Sequence, residues 1–166
     1  MPSTIRPIQA NADVYRCVDL LRLAFGTVAR DFGLTESSSP TNAAFTTFDS
    51  LSLHIREGMD LYGKFVDAEL VGCVAVKQAK RDGRVYSIER LAVAPRRRHC
   101  GHGGELLAFA VERIREAGGA TASIGLIDDN RVLKEWYLSK GFVQHDRRRV
   151  AHLPFRVCFM SLSIAN

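Results

Sequence analysis

Residues 91–107 limit the possible folds of this chain more than any other stretch. A predicted strand is followed there by a basic, glycine-rich turn and then by an amphipathic helix. Gly101, Gly103 and Gly104 stand where the helix is expected to begin. The first N–H groups of a helix lack intrahelical partners, and the helix dipole adds positive potential at that end. Glycines also let the backbone approach a ligand closely. The stretch therefore predicts a binding site for a phosphorylated ligand.

Two other phosphate-binding motifs do not fit this turn. A dinucleotide-binding turn has G-x-G-x-x-G directly after the first strand and an acidic residue about 20 residues later. Here the glycines are spaced G-x-G-G and come late in the chain, and the G-K-[ST] of a Walker turn is missing. The pattern present is R-x-x-G-x-G, formed by Arg98, Gly101 and Gly103 after a strand that ends Leu-x-Val-x-Pro.

Hydrophobic periodicity predicts strands and helices on both sides of this turn. The predicted strands cover residues 4–8, 61–66, 70–77, 84–93, 122–127, 142–150 and 155–164. The predicted helices are one that begins near residue 14, capped by Asn11 or Asp13, and three more at 48–57, 101–117 and 131–140. The strand–helix–strand unit implies a parallel pair, and the hairpins imply antiparallel pairs. We therefore expect one α/β (α+β) domain over residues 1–166, with a mixed, mostly antiparallel sheet of six to seven strands, helices on both faces and a central parallel βαβ unit.

Composition limits the class of protein. A chain of 166 residues with 46% hydrophobic and 25% charged residues is typical of one globular domain. It has no apolar stretch of about 20 residues and no apolar secretion core near its start, so we expect a cytoplasmic location and no membrane partner. The four cysteines are scattered without a C-x-x-C pair, which indicates free thiols and no metal site.

The net charge of +5 is concentrated in two arginine runs, at residues 96–98 and 147–149. Such runs favour an anionic partner, either a phosphorylated cofactor or nucleic acid, or else form a solvated surface. Few aromatic residues accompany the first run, and no nucleic-acid motif is present. Nucleic acid is therefore the weaker alternative.

The R-x-x-G-x-G turn in its strand–turn–helix context resembles the acyl-CoA motif of the GNAT superfamily of N-acetyltransferases, Q/R-x-x-G-x-G/A. The resemblance implies that backbone amides of residues 99–104 hold the pyrophosphate of acetyl-CoA and that the preceding strand edge pairs with its pantetheine arm. Many relatives carry glycine immediately after the motif arginine, where this chain has His99. The residues so implicated in cofactor binding are Leu91, Ala92, Val93, Arg98, His99, Cys100, Gly101, His102, Gly103 and Gly104.

A second match lies downstream, where Asn130 and Tyr137 are seven residues apart and so share nearly one face of a helix. The stretch is similar to the GNAT pattern N-x-x-A-x-x-[FY]-Y-x-x-x-G-F, with Leu133 in place of the usual small residue. The resemblance implies that Asn130 hydrogen-bonds the pantetheine and that Tyr137 protonates the leaving thiolate. A plain helix cap at Asn130 and a packing role for Tyr137 are the alternatives.

An amine acceptor must lose a proton before or during its attack, so a base or a water relay is needed. Alternation along the strand at 84–93 predicts one shared face for Ser87, Glu89, Leu91 and Val93. Glu89 is the only carboxylate in that set and is the candidate base, acting through water. The alternative for Glu89 is a surface carboxylate paired with an arginine.

The function predicted from these features is transfer of an acetyl group from acetyl-CoA to a primary amine, by direct attack in a ternary complex. The alternatives are a non-catalytic acyl-CoA-binding or regulatory module and, more weakly, a nucleic-acid-binding protein. The last predicted strand is apolar on both faces, so it is either central in the sheet or part of a homodimer contact. The identity of the acceptor amine does not follow from the sequence.

Overall fold

The computed structural model describes residues 2–164. Within them the order of strands and helices is the predicted one. The strands are β1 (Ser3–Pro7), β2 (Asp60–Val66), β3 (Glu69–Gln78), β4 (Val85–Val93), β5 (Thr121–Ile127), β6 (Val143–Arg149) and β7 (Arg156–Ser163). The helices are α1 (Asn11–Asp31), α2 (Phe48–Arg56), α3 (His102–Glu116) and α4 (Arg131–Ser139), with short 3-10 helices at Ala43–Phe45 and Pro95–Arg97.

The strands form one seven-stranded sheet in the order β1-β2-β3-β4-β5-β7-β6. Every neighbouring pair in it is antiparallel except β4 and β5, which α3 connects. One hydrophobic cluster packs α1 and α2 on one face, and a second packs α3 and α4 on the other. The predicted mixed sheet with helices on both faces is confirmed.

The start of α1 differs from the prediction. The N-cap is Ala10, and none of the described side chains caps the helix. Asp13 lies inside the first turn and accepts a hydrogen bond of 2.8 Å from Arg6 on β1. Asn11 and Asp13 were therefore wrong as caps, because Asp13 joins the helix to the edge strand instead.

A β-bulge interrupts β4 beside the site. Glu89 pairs with Ala75, but two residues, Arg90 and Leu91, stand opposite the single residue Val74 before pairing resumes. Arg90 has a φ of 53°, in the left-handed region. The bulge breaks the alternation of side chains, so the predicted common face is wrong. Glu89 lies on the α1–α2 face with its cross-strand partner, whereas Leu91 packs against the α3–α4 cluster.

The last strand, β7, lies between β5 and β6 rather than at an edge. Cys158 and Met160 are fully buried on its α3–α4 face. The central position accounts for the apolar character of the strand. The outer strand β6 is mostly exposed and rich in arginine, which is typical of a protected sheet edge.

All four cysteines are free thiols, of which only Cys100 is exposed. Among residues 2–164, no helix combines the length and the apolar character that crossing a membrane requires.

Candidate active site

A cleft opens where the two parallel strands separate. β4 and β5 pair only at residues 85–87 and 121–123. Beyond that point β4 stays with β3 while β5 follows β7. The gap between them is a cavity of about 1240 Å³, lined by residues 87–93 and 123–126 and by the starts of α3 and α4.

The edge of β4 that faces this cleft has no neighbouring strand beyond Ser87, within the part of the chain that the structure describes. An unpaired edge offers N–H and C=O groups to an extended ligand. Leu91, Ala92 and Val93 line the cleft along this edge. Their position is the one expected for pairing with a pantetheine arm, and that role stays a prediction.

The glycine-rich turn brings the start of α3 to one end of the cleft. Gly101 is the N-cap with a φ of 86°, and no side chain of the described residues caps the helix. A Cβ added at Gly101 would meet no atom within 4 Å, and one at Gly103 would meet its nearest neighbours at 3.7 Å. The first N–H groups of α3 are therefore uncapped in the lining of the cleft, an arrangement that suits a phosphate group.

Nearly all of the predicted cofactor residues line this one cleft. The exception is Cys100, which is exposed and lies outside the lining. The structure thus brings together the residues of the two sequence motifs, although they belong to different helices.

His99 adopts a left-handed conformation with a φ of 62°. Such a conformation costs an ordinary residue roughly 1–2 kcal/mol and costs glycine almost nothing. This explains why glycine suits the position after the motif arginine. The strain was not visible in the sequence, because it depends on how the turn folds.

The arginines of the turn are already engaged by protein groups. Arg98 donates to the carbonyl oxygen of Ala24 and to Oγ1 of Thr27, both at 3.1 Å. Arg96 and Arg97 both form ion pairs with Glu69 at the start of β3. These contacts fasten the turn to α1 and β3.

His102 is the first residue of α3, and its Nδ1 atom is buried without a hydrogen-bond partner in the described residues. Burial lowers the pKa of His102, and the positive charges of Lys64 and Arg97 lower it further, whereas Glu105 acts in the opposite direction. The imidazole is therefore neutral at pH 7, so it adds no positive charge at the start of α3.

Lys64 is a residue that the sequence analysis missed. It is 2% exposed on β2 and forms an ion pair with Glu105 in the first turn of α3. The pair places a cation beside a carboxylate that would otherwise repel an anion at the helix start. The sequence did offer one indication of this ion pair. The lysine lies within the apolar strand Leu-Tyr-Gly-Lys-Phe-Val, and a lysine buried there needs a charged partner.

Asn130 caps α4 beside the cleft. Its Oδ1 accepts a hydrogen bond of 3.2 Å from the backbone N–H of Leu133. The capping alternative is thus confirmed, and its side-chain nitrogen has no partner among residues 2–164. Capping and ligand binding are compatible at this residue.

Tyr137 is 7% exposed and lines the cleft from the α3–α4 side. Its ring packs edge-on against Trp136 and Phe142, with centroids 5.0 and 5.3 Å apart. Burial raises the pKa of Tyr137 well above its ordinary value. The phenol therefore stays protonated at neutral pH, and the described residues give its hydroxyl no hydrogen-bond partner.

Glu89 lines the same cleft from the α1–α2 side of the sheet. It makes no ion pair within residues 2–164, so the alternative of a surface carboxylate held by an arginine is not supported. Because β4 and β5 separate here, Glu89 and Tyr137 reach one cavity from opposite faces of the sheet. A carboxyl group and a phenol thus line a single space.

The sheet of this protein opens between two parallel strands, next to an uncapped, glycine-rich helix start. The sequence model of the acetyltransferase (GNAT) family matches residues 27–142, more than half of the chain. The chain therefore belongs to the GNAT acetyltransferase family. The comparison with curated protein sequences found no match.

Solved structures of similar fold cover nearly the whole chain at low sequence identity. The PaiA N-acetyltransferase from Thermoplasma acidophilum, in complex with coenzyme A, has a TM-score of 0.80 at 18% identity, over 98% of this chain and 99% of that chain. The ribosomal-protein-S18-alanine N-acetyltransferase from Escherichia coli has a TM-score of 0.77 at 16% identity, over 99% and 96%. A GNAT family acetyltransferase from Elizabethkingia anophelis with acetyl-CoA bound has a TM-score of 0.71 at 19% identity, over 97% of both chains. At these identities the comparisons establish the fold.

Proposed function

We propose that this chain transfers an acetyl group from acetyl-CoA to a primary amine by direct attack in a ternary complex. The observation that carries the proposal is the continuity of the cleft. A single cavity has the uncapped start of α3 at one end and both Glu89 and Tyr137 in its walls. Family membership and the coenzyme A complexes of similar folds support the choice of donor.

In this proposal the backbone amides of residues 99–104 hold the pyrophosphate. The free edge of β4 at Leu91, Ala92 and Val93 pairs with the pantetheine, and Asn130 adds a hydrogen bond from its side-chain nitrogen. Arg98 acts indirectly, since it holds the turn against α1. Gly101 and Gly103 line the cleft and have no side chain that would compete with the pyrophosphate for space.

A protonated amine must lose two protons before the amide is complete, and the departing sulfur must gain one. Glu89 accepts the first proton through water, and the freed nitrogen attacks the thioester carbonyl carbon. As the carbon–sulfur bond breaks, Tyr137 donates its proton to the sulfur, and the second proton of the nitrogen passes through water to the Tyr137 phenolate and restores the phenol. The thiol of coenzyme A has a pKa of about 8.5, so the sulfur leaves as a thiolate unless it receives a proton. A neutral phenol next to the sulfur therefore lowers the barrier to its departure.

The test uses the purified chain with acetyl-CoA. We expect acetyl-CoA to raise the melting temperature by linkage, and thiol release to follow with at least one amine from a panel of amino acids, polyamines and short peptides. An unchanged melting temperature at millimolar acetyl-CoA would contradict the proposal. Stabilisation without thiol release from any amine would favour the non-catalytic acyl-CoA-binding module instead.

A homodimer and a cytoplasmic location stay predictions. The central position of β7 removes the sequence argument for a dimer, so light scattering at micromolar concentration is the direct measurement.

A further inference from the structure

Arg90 is the residue whose side chain the bulge in β4 redirects. It lines the cleft next to Glu89. Its Nη1 donates to Sδ of Met59 at 3.3 Å, and its Nη2 lies 3.4 Å from Nδ1 of His54 on α2. Met59 belongs to the α1–α2 cluster, so the guanidinium lies on the same face of the sheet as Glu89.

The contacts of this guanidinium are too weak to satisfy it. Neither a thioether nor an imidazole ring carries a negative charge, and the thioether is a poor acceptor. The Nε atom is buried without a hydrogen-bond partner, and no carboxylate of residues 2–164 pairs with Arg90. By contrast, Arg96 and Arg97 share Glu69. A partly buried guanidinium without an anion is costly, so its surroundings favour a negatively charged ligand.

The bulge itself holds Arg90 in this place. A φ of 53° is unfavourable for a residue with a Cβ and persists only when the surroundings impose it. Sγ of Cys73 donates to the backbone carbonyl of Arg90 at 3.4 Å. The result is that Glu89 and Arg90, although consecutive, lie on one face instead of opposite faces.

We propose that Arg90 binds a carboxylate of the acceptor, so that the acceptor is a small amine carrying that carboxylate a few bonds from its nitrogen. Glu89 and Arg90 are consecutive, lie on the same face of the sheet and line the same cleft, so one small molecule can place its amine near Glu89 and its anion at Arg90. A guanidinium can hold a carboxylate through two parallel hydrogen bonds. An acceptor that carries only positive charges gains nothing from this group. The inference rests on the proposed acetyl transfer.

The experiment compares matched acceptors that differ only at the carboxyl group. Thiol release from acetyl-CoA is measured with alanine, alaninamide and ethylamine, and with phenylalanine, phenylalaninamide and phenethylamine. The variants are Arg90→Gln, Arg90→Lys and the control Arg56→Gln. Arg56 is exposed at the end of α2 and outside the cleft, so its replacement changes the net charge equally.

We expect the wild type to prefer the free amino acid in at least one series. Arg90→Gln should lower kcat/KM for that acid by about 10- to 100-fold, chiefly through KM, and should leave the amide and the decarboxylated amine unchanged. Arg90→Lys should retain part of the preference, and Arg56→Gln all of it. A wild type without preference for the acid, or an Arg90→Gln variant that loses activity equally on all three acceptors, would overturn the inference while leaving acetyl transfer intact.

A binding measurement separates this inference from the proposed function. N-acetylalanine and N-acetylphenylalanine keep the carboxylate and need no turnover. In the presence of coenzyme A, at least one should raise the melting temperature of the wild type but not of Arg90→Gln. If an N-acetylated amino acid stabilises the wild type but no amine is acetylated, the anion site stands and acetyl transfer is rejected. If neither compound raises the melting temperature of the wild type, the anion site is rejected.

Discussion

The guanidinium of Arg98 donates to Oγ1 of Thr27 at 3.1 Å, across 71 positions of the chain. The same nitrogen donates to the carbonyl oxygen of Ala24, also at 3.1 Å. The motif arginine is thus hydrogen-bonded to α1, and we expect it to position the turn.

Replacement of Arg98 should therefore affect stability as well as cofactor binding. Arg98→Ala should lower the free energy of unfolding by about 1–3 kcal/mol, because two partly buried acceptors lose a charged donor. Thr27→Val removes one of them and should cost about 1 kcal/mol. Arg96→Ala is the control, since the side chain of Arg96 is 76% exposed and surface pairs contribute little. Urea unfolding measures all three, and equal losses for Arg96→Ala and Arg98→Ala would contradict the positioning role.

Substitutions at Gly103 test whether the turn at residues 99–104 binds the pyrophosphate. Gly103→Glu places bulk and negative charge at the start of α3 and should abolish the rise in melting temperature caused by acetyl-CoA. Gly103→Ala is the matched control for the fold, because its Cβ would meet neighbours only at 3.7 Å, an ordinary contact. If Gly103→Glu kept the full acetyl-CoA shift, the pyrophosphate would have to bind elsewhere.

Tyr137→Phe removes a hydroxyl and keeps the packed ring. Since the hydroxyl has no hydrogen-bond partner in the described residues, the melting temperature and the acetyl-CoA shift should not change. Turnover should fall by roughly 10²- to 10⁴-fold, the range for one general acid. Near wild-type turnover with chemistry rate-limiting would assign protonation of the sulfur to water or to the substrate.

Glu89→Gln should show a different dependence on pH. If Glu89 removes the amine proton, the rate of the variant falls most at neutral pH, because a primary amine with a pKa of about 10 is protonated there. Its deficit should shrink as pH rises towards that value, because free amine becomes abundant. Rate profiles from pH 7 to 10 measure this, and a deficit that stays constant would point to a packing defect.

Asp128, at the end of β5, should contribute to acid sensitivity. The hydrogen bond of 2.6 Å from Lys134 lowers the pKa of Asp128, and the charge of Arg147 lowers it further. A carboxyl group whose pKa is lower in the folded state stabilises the fold at any pH above its unfolded-state pKa, which is about 3.9. That stabilisation is lost as the pH falls through the folded-state pKa. Asp128→Asn should be less stable than the wild type at pH 6, with a gap that closes below about pH 4. Lys134→Met should behave alike in unfolding measured against pH, and a gap that does not change with pH would disprove the linkage.

The local features of this protein follow from its amino-acid sequence alone. The order of strands and helices, the uncapped glycine-rich start of α3 and the spacing of Asn130 and Tyr137 all depend on periodicity and backbone freedom within short stretches. These are properties of neighbouring residues, so a single sequence contains them. The same locality explains the family resemblance, which rests on two short motifs.

Which side chains come into contact depends on the tertiary structure. The bulge that places Glu89 and Arg90 on one face depends on the register with β3, and the cleft depends on β5 leaving β4 for β7. Lys64 meets Glu105 across 41 positions, and Arg98 is held by α1. Strand register and long-range hydrogen bonds are set by the packing of the whole sheet between its helices, and no local pattern encodes them.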